Sequence, residues 1–237
     1  DRPAVLAVAL KWRDQWDGKQ ADYAWTVLVR LVSWAKGRKI LASHQLEGQA
    51  RLYSADRAEI IWTASDLEAF ARVAPSVVTD ALTGAAETGL RPGDLVQLSH
   101  AHVQSTPKGR RIRMRTNKRG RVAAIPVTQA MARIIDAVPA GRMLIFVSSH
   151  GDAWDERQLS KQVTIYRRKA GLERLRLYDA RGTACTRLLM AGATLGEIAL
   201  HMGWSIRTAA KMIEVYASLD PAMTDSVLVR LETAKRA

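Results

Sequence analysis

From Lys108 to Arg121 the chain carries eight basic residues and no acid, arranged in a way that suits a strand and little else. Arg111, Arg113 and Arg115 alternate with Ile112 and Met114. Successive side chains of a strand point to opposite faces, so this pattern reads as a half-buried strand with one basic and one apolar side. Thr116-Asn117-Lys118-Arg119-Gly120 is turn chemistry, and Val122 to Val127 reads as the return strand. The expectation is β structure over 96–127, built around a hairpin with Lys118 at its apex. A block of like charge is often only a solvated face. Here it decorates a two-sided hairpin, so the basic side can lie along a nucleic-acid backbone.

The rest of the chain reads as helix. Pro3 suits a first helical position, and Val5, Val8, Ala9, Trp12 and Trp16 fall on one face of a helix over 3–16. A second helix is expected over 22–36, with Trp25, Leu28, Val29 and Val32 inward and Gly37 as its stop, and a short one after Ser43. Trp12, Trp16, Trp25 and Trp34 read as core packing. Residues 46–60 are polar and weakly periodic, as a linker would be. Thr63 and Asp66 look like a capping box that opens the next helix, and another follows Pro75 and stops near Gly89. Pro92 starts a short helix just after Arg91. Beyond the hairpin come a helix over 128–138, a short strand over 144–147 and helices over 155–170 and 179–190. A helix over 194–202 opens with a Thr194/Glu197 capping box, another spans 205–217, and a last one starts at Pro221 with Val227, Leu228 and Leu231 apolar. The fold class is therefore mainly α with a small antiparallel β-sheet.

Composition narrows the partners. The formal net charge of the 237 residues is +13, and such an excess suits a polyanion, because each Lys or Arg near a phosphate releases condensed counterions. Cys185 is the one cysteine, so no internal disulfide or multi-cysteine zinc cluster can form, and a reducing compartment fits. No run of eighteen or more apolar residues marks a membrane span. The opening Asp-Arg-Pro has neither an initiator Met nor a signal-like start, which suggests a fragment of something longer.

Five motifs occur in a fixed order: Thr-Gly-Leu-Arg-Pro-Gly-Asp-Leu around Arg91, the basic hairpin with Lys118, Tyr-Asp-Ala-Arg-Gly-Thr around Tyr178 and Arg181, Met-Gly-Trp-Ser around Trp204, and Val-Tyr at Tyr216. In that order and spacing the chain resembles the tyrosine recombinase (phage integrase) family over about residues 60 to 220. Residues 1–45 resemble the back half of that family's helical core-binding domain. The resemblance implies a partial core-binding domain (1–45), a linker (46–60) and a catalytic domain (61–237) that together clamp a DNA duplex.

It also implies a mechanism, site-specific recombination that integrates or excises a mobile element. Tyr216 would attack the scissile phosphate and form a 3′-phosphotyrosine. Arg91 and Arg181 would grip the non-bridging oxygens as planar, permanently charged forks. Lys118 would protonate the leaving 5′-oxygen, with Arg119 and Arg121 as rivals for the pocket. Trp204 would offer its indole N–H to the phosphate. Arg111, Arg113, Arg115, Arg119 and Arg121 would follow the DNA backbone. No metal or other cofactor is implied. The expected partners are double-stranded DNA and further copies of the chain, as a tetramer on two DNA sites in a bacterial cytoplasm. Two departures stand out. Tyr178 occupies the place of a customary His, and a phenol does not shuttle protons at neutral pH as imidazole does. Gly182 stands where a second His is common.

Blander readings accompany these. Asp94 reads as a brace for backbone or arginine. His100 and His102, two apart on an expected strand, share a face and read as a structural or solvent-facing pair, with metal binding the less favoured alternative. His201 and Cys185 read as packing. Residues 194–208 also resemble a helix-turn-helix, which would make the chain a DNA-binding regulator. A recombinase relative that has lost activity is the other alternative. A metal nuclease using Asp152 and Glu156 is a poor third, since the acids lack a recognisable spacing.

Overall fold

The computed structural model describes residues 2–44, 46–53, 57, 59–118 and 120–217, and at residues 2–4, 216 and 217 it describes the backbone alone. Arg119 and the helix expected from Pro221, with Val227, Leu228 and Leu231, lie outside the described residues. The chain divides into two compact units, 1–56 and 57–237.

The first unit pairs helix α1 (Arg2–Arg13) with helix α2 (Gly18–Gly37). α2 starts four residues before the expected Asp22. The Asp22 carboxylate is engaged elsewhere: it accepts the backbone N–H groups of Leu52 and Tyr53 at 2.9 and 3.0 Å and ties that segment onto the helix. Trp25 is buried with the Arg13 guanidinium 5.3 Å from its ring, and Trp12 meets Trp16 edge to face at 4.4 Å. Core packing does not hold for Trp34, which is 52% exposed with Arg38 over its ring, nor for Trp12, Val5 and Val8, which face solvent in this unit. The short helix expected after Ser43 is absent from the described residues, which carry turns there. The His44 ring bonds Ser33 and Glu47 through Nε2 and takes the Leu46 N–H on Nδ1, diverting a backbone donor that a helical turn would use.

In the second unit, helix α3 (Ala64–Ala71) opens on the expected Thr63/Asp66 capping box. Helix α4 (Ser76–Thr88) runs to Gly89, which closes it in the left-handed region at φ 63°. The four-residue helix α5 (Pro92–Leu95) follows. Strands β1 (Val103–Thr106), β2 (Gly109–Arg115) and β3 (Val122–Pro126) form an antiparallel sheet in the order β1-β2-β3. β2 alternates as the sequence demands: Ile112 and Met114 are buried, facing Ile125 and Ala123 across the strands, while Arg111, Arg113 and Arg115 are exposed. The β reading fails over 96–102. His100–His102 is a single 3-10 turn, and the His102 ring takes the Ser99 N–H at 3.2 Å, so the two histidines do not share a strand face. Residues 144–147 form only isolated bridges, Ser99 to Leu144 and Val147 to Ala153, because no continuous partner lies alongside.

Helices α6 (Gln129–Asp136), α7 (Glu156–Lys169), α8 (Ala180–Met190), α9 (Leu195–Met202) and α10 (Ile206–Ala217) complete the described unit. α9 carries the expected Thr194/Glu197 capping box, and α7 is capped by Asp155. One apolar core joins Leu82, Leu95, Leu98, Ile112, Ile125, Met131, Leu159 and Val163, so the sheet's apolar side lies on α4 to α7. A smaller core of Ala184, Cys185, Ile198, Met202 and Ala209 binds α8, α9 and α10 to one another. Among the described residues no helix is long and apolar enough to cross a membrane.

Packing here reverses an ordinary propensity. Gly84 lies within α4, where Ala is normally worth about 1 kcal/mol over Gly. A Cβ at Gly84 would fall 2.3 Å from Cζ of Phe146, a ring that is itself buried. Overpacking of that kind costs roughly 1–3 kcal/mol. Gly84→Ala is therefore expected to lower unfolding free energy in urea, and Phe146→Leu in the same chain to recover part of it. A more stable Gly84→Ala protein would contradict this packing.

Candidate active site

The site begins where α4 stops. A side chain at Gly89 would bring a Cβ to 2.6 Å from Met202 Sδ and 3.0 Å from Ala184 Cβ, so only glycine lets this helix end approach α8 and α9 so closely. Two residues on, Arg91 is extended and serves as the residue before α5, with Pro92 in the first helical position. Its side chain is mostly buried, with the Asp94 carboxylate 3.9 Å from Nη1. Nε and Nη1 of Arg91 are buried without a hydrogen-bond partner. Buried donors are nearly always satisfied, so this pair is an exception to the usual pattern.

Arg181, ninety residues further along the second unit, reaches the end of α4. It sits in the first turn of α8 and is 5% exposed. Nη1 donates to the carbonyl of Gly89, and Nη2 to the carbonyl of Met202 at 2.7 Å. One guanidinium thus ties together the ends of α4 and α9, and holds the segment leading to Arg91. Thr183 locks the start of α8 by accepting the Trp62 N–H at 2.8 Å. Trp204 follows Gly203, whose φ of 61° ends α9, and its ring lies 5.0 Å from the Arg181 guanidinium.

Lys118 comes to this neighbourhood through Asp94. The buried Asp94 accepts the Asn117 N–H at 2.7 Å, and Asn117 Nδ2 donates to Gln97 at 3.2 Å. Asp94 therefore braces backbone, tying the turn next to Lys118 onto the Arg91 segment. Lys118 itself is exposed, as is Arg121. On the sheet, the cross-strand neighbours of Arg111 are Gln104 and Pro126, and that of Arg113 on β3 is Ala124, none of them acidic. Arg115 spends one N–H on the carbonyl of Gly120, and Arg110 is taken up by a two-pronged ion pair with Asp136.

Tyr178 stands in a 3-10 turn, Leu177–Asp179, three residues before Arg181, and is 54% exposed. Asp179 next to it accepts the Arg176 N–H at 2.8 Å and an Arg57 N–H at 2.6 Å. Sequence reading missed Arg57 and Asp179; two charged residues this far apart carry no spacing signal. Tyr216 is near the end of α10, which packs on α8 and α9; its side chain lies outside the described residues. Cys185 is wholly buried, and burial pushes its thiol up to about 11 against the opposing pull of Arg181. His201 is buried too, as expected of a packing residue.

The arrangement has relatives. A lambda integrase(75-356) dimer bound to a COC' core site matches with a TM-score of 0.70 at 16% identity, over 87% of this chain and 77% of that one. A Tn1549 transposon integrase in complex with transposon right end DNA matches with a TM-score of 0.66 at 18% identity, over 96% of this chain and 84% of that one. A lambda integrase tetramer bound to a Holliday junction matches with a TM-score of 0.66 at 16% identity, over 84% of this chain but only 62% of that one. Identities this low show a shared fold, that of the tyrosine recombinases. No curated protein matches the sequence. The model of the phage integrase family matches residues 63–222, and the chain belongs to that family.

Two expectations follow from the geometry. Burial pulls His201 down to about 4, the Arg181 charge acts in the same sense, and the backbone of Thr88 and Glu87 opposes. An unfolded His titrates near 6.5. Between these values the unfolded chain binds more protons, so stability is lost as pH falls from about 6.5 towards 4. About 2 kcal/mol should disappear between pH 7.5 and 5 from this group. Urea unfolding of the protein and of His201→Leu at both pH values checks this; equal pH dependence in the two would refute it. Asp94→Ala should cost about 1–3 kcal/mol by orphaning the Asn117 N–H. It should also speed amide exchange at 116–118, and unchanged exchange there would refute the brace.

Proposed function

We propose that the chain is a site-specific recombinase that cuts and rejoins DNA through a 3′-phosphotyrosine on Tyr216. One observation carries the reading. Arg181 hydrogen-bonds the Gly89 carbonyl, two residues from Arg91 and its orphaned donors, which supports a site in which these two permanent cations act together. Such a pair suits a phosphate, and most of all the extra negative charge of a pentavalent transition state.

On this reading the Tyr216 oxygen attacks phosphorus as its phenol proton passes to solvent water, and the bond to the 5′-oxygen breaks. Lys118 protonates that oxygen. Trp204, beside Arg181, adds an indole donor. The ester energy stays in the tyrosyl link, so rejoining reverses the same steps. Tyr178 is a hydrogen-bond donor or acceptor in place of a proton shuttle. Arg111, Arg113, Arg115, Arg119 and Arg121 follow the DNA backbone. Residues 1–45 act as part of a core-binding domain and 61–237 as the catalytic domain. A similar protein forms a tetramer on a Holliday junction, and we extend that assembly, on two DNA sites, to this chain. Integration or excision of a mobile element in a bacterial cytoplasm is the corresponding role.

The test traps the intermediate. Nicked duplexes of randomised core sequence, in which the cut fragment diffuses away, are incubated with the protein and resolved under denaturing conditions. A covalent protein–DNA adduct is expected, abolished by Tyr216→Phe. Arg91→Ala and Arg181→Ala should each slow it by about 10²–10³, the usual consequence of removing one donor aimed at developing charge. Tyr178→His should speed it. DNA binding without any adduct would replace this reading with that of an inactive relative, a reading that Tyr178 in the customary His position favours.

A further inference from the structure

We infer that Arg57, the first residue of the second compact unit, is a positioning residue that sets the 3-10 turn bearing Tyr178 and the start of α8 bearing Arg181, by clamping Asp179. The inference rests on the reading of the site given above and adds a residue to it.

A single Arg57 nitrogen, Nη2, has two hydrogens, and both are used. One goes to Asp179 Oδ2 at 2.6 Å and the other to the Arg174 carbonyl at 2.8 Å. The same Asp179 oxygen accepts the Arg176 N–H at 2.8 Å. Arg57 therefore spans the segment 174–179 and draws its ends together. Its partner is not a solvated acid: the Asp179 side chain is 7% exposed and that of Arg57 28%. Asp179 directly follows Tyr178 and lies two residues before Arg181, so its orientation fixes the direction in which α8 sets out.

The surroundings make the clamp necessary. Arg167, Arg168 and Arg176 lie near the pair, and the buried Arg167 is pushed below its ordinary range by burial and then by the charges of Arg168, Arg176 and Arg57, with Asp179 opposing. Asp179 thus offsets the mutual repulsion of several cations. Without Arg57, a buried carboxylate keeps one backbone donor, and the Arg174 carbonyl loses this partner. The backbone on the other side is already fixed, since Trp62 Nε1 donates to the Arg176 carbonyl at 2.9 Å and the Trp62 N–H donates to Thr183 Oγ1 at 2.8 Å. The residual freedom is that of the turn itself, where Tyr178 stands.

The experiment compares the protein with Arg57→Ala, Arg57→Lys and Ile135→Val, the last a core change in α6 far from this turn in the chain. Hydrogen exchange of the free protein at 174–181 is measured beside adduct formation on the randomised nicked duplexes and total DNA affinity. Arg57→Ala should raise exchange at 174–181 at least tenfold and slow adduct formation at least tenfold, with affinity within twofold. Arg57→Lys should recover most of both, because an ammonium can still donate to Asp179. Ile135→Val should change neither by more than twofold. Unchanged exchange in Arg57→Ala overturns the inference, as does a loss of rate matched by a loss of affinity. If the unaltered protein forms no adduct, the reading of the site fails, while the exchange measurement still decides whether Arg57 holds the turn.

Discussion

A guanidinium held by two helix ends organises the second unit. Arg181 donates to carbonyls at the C-terminal ends of α4 and α9, where the last carbonyls of a helix lack partners within it and gather partial negative charge. Each of those ends is closed by a left-handed glycine, Gly89 and Gly203, which lets the chain turn away while the carbonyls stay aimed inwards. Carbonyl partners satisfy the N–H groups of an arginine without cancelling its charge, as a carboxylate would. The same two contacts join the ends of α4 and α9.

Arg91 is treated differently, and the contrast is informative. The nearest carboxylate, Asp94, stands 3.9 Å from it and accepts its short hydrogen bond from the Asn117 N–H at 2.7 Å. Had Asp94 closed on Arg91, the pair would have been neutral and the hairpin loose. As it is, the acid holds the Lys118 turn and the arginine keeps two buried donors open. Leaving such donors unmet costs roughly 1–3 kcal/mol each. Folds tolerate a cost of that size mainly where function requires it.

What could be read from the sequence was what is local. The Arg111–Arg115 alternation, the Thr63 and Thr194 capping boxes and the glycine stop at residue 89 each act within a few residues, and each element formed there. Tryptophans were misread because an apolar stripe says that a face can be covered, not that it is: Trp25 is buried, whereas Trp34 is half exposed under Arg38. Residues 144–147 look like a strand but find only single bridging partners. Resemblance singles out Arg91 and Arg181, yet the way Arg181 is held is invisible in the sequence. The groups that hold Arg181 are backbone carbonyls, which every residue has. Arg57 and Asp179, 122 positions apart, have no local signature either.

Tyr178 shows how a departure from a family pattern can be reasoned through. Its neighbour Asp179 is buried and bonded twice, so the turn is built with care although the residue it presents is unusual. A phenol can donate or accept a hydrogen bond and so steady an oxygen, but it is not the proton relay that an imidazole is. On the proposed mechanism the proton for the leaving oxygen must then come from elsewhere, and Lys118 is held close by through Asn117 and Asp94. On that mechanism acid catalysis would fall to the hairpin, whose turn Asp94 holds through the Asn117 N–H.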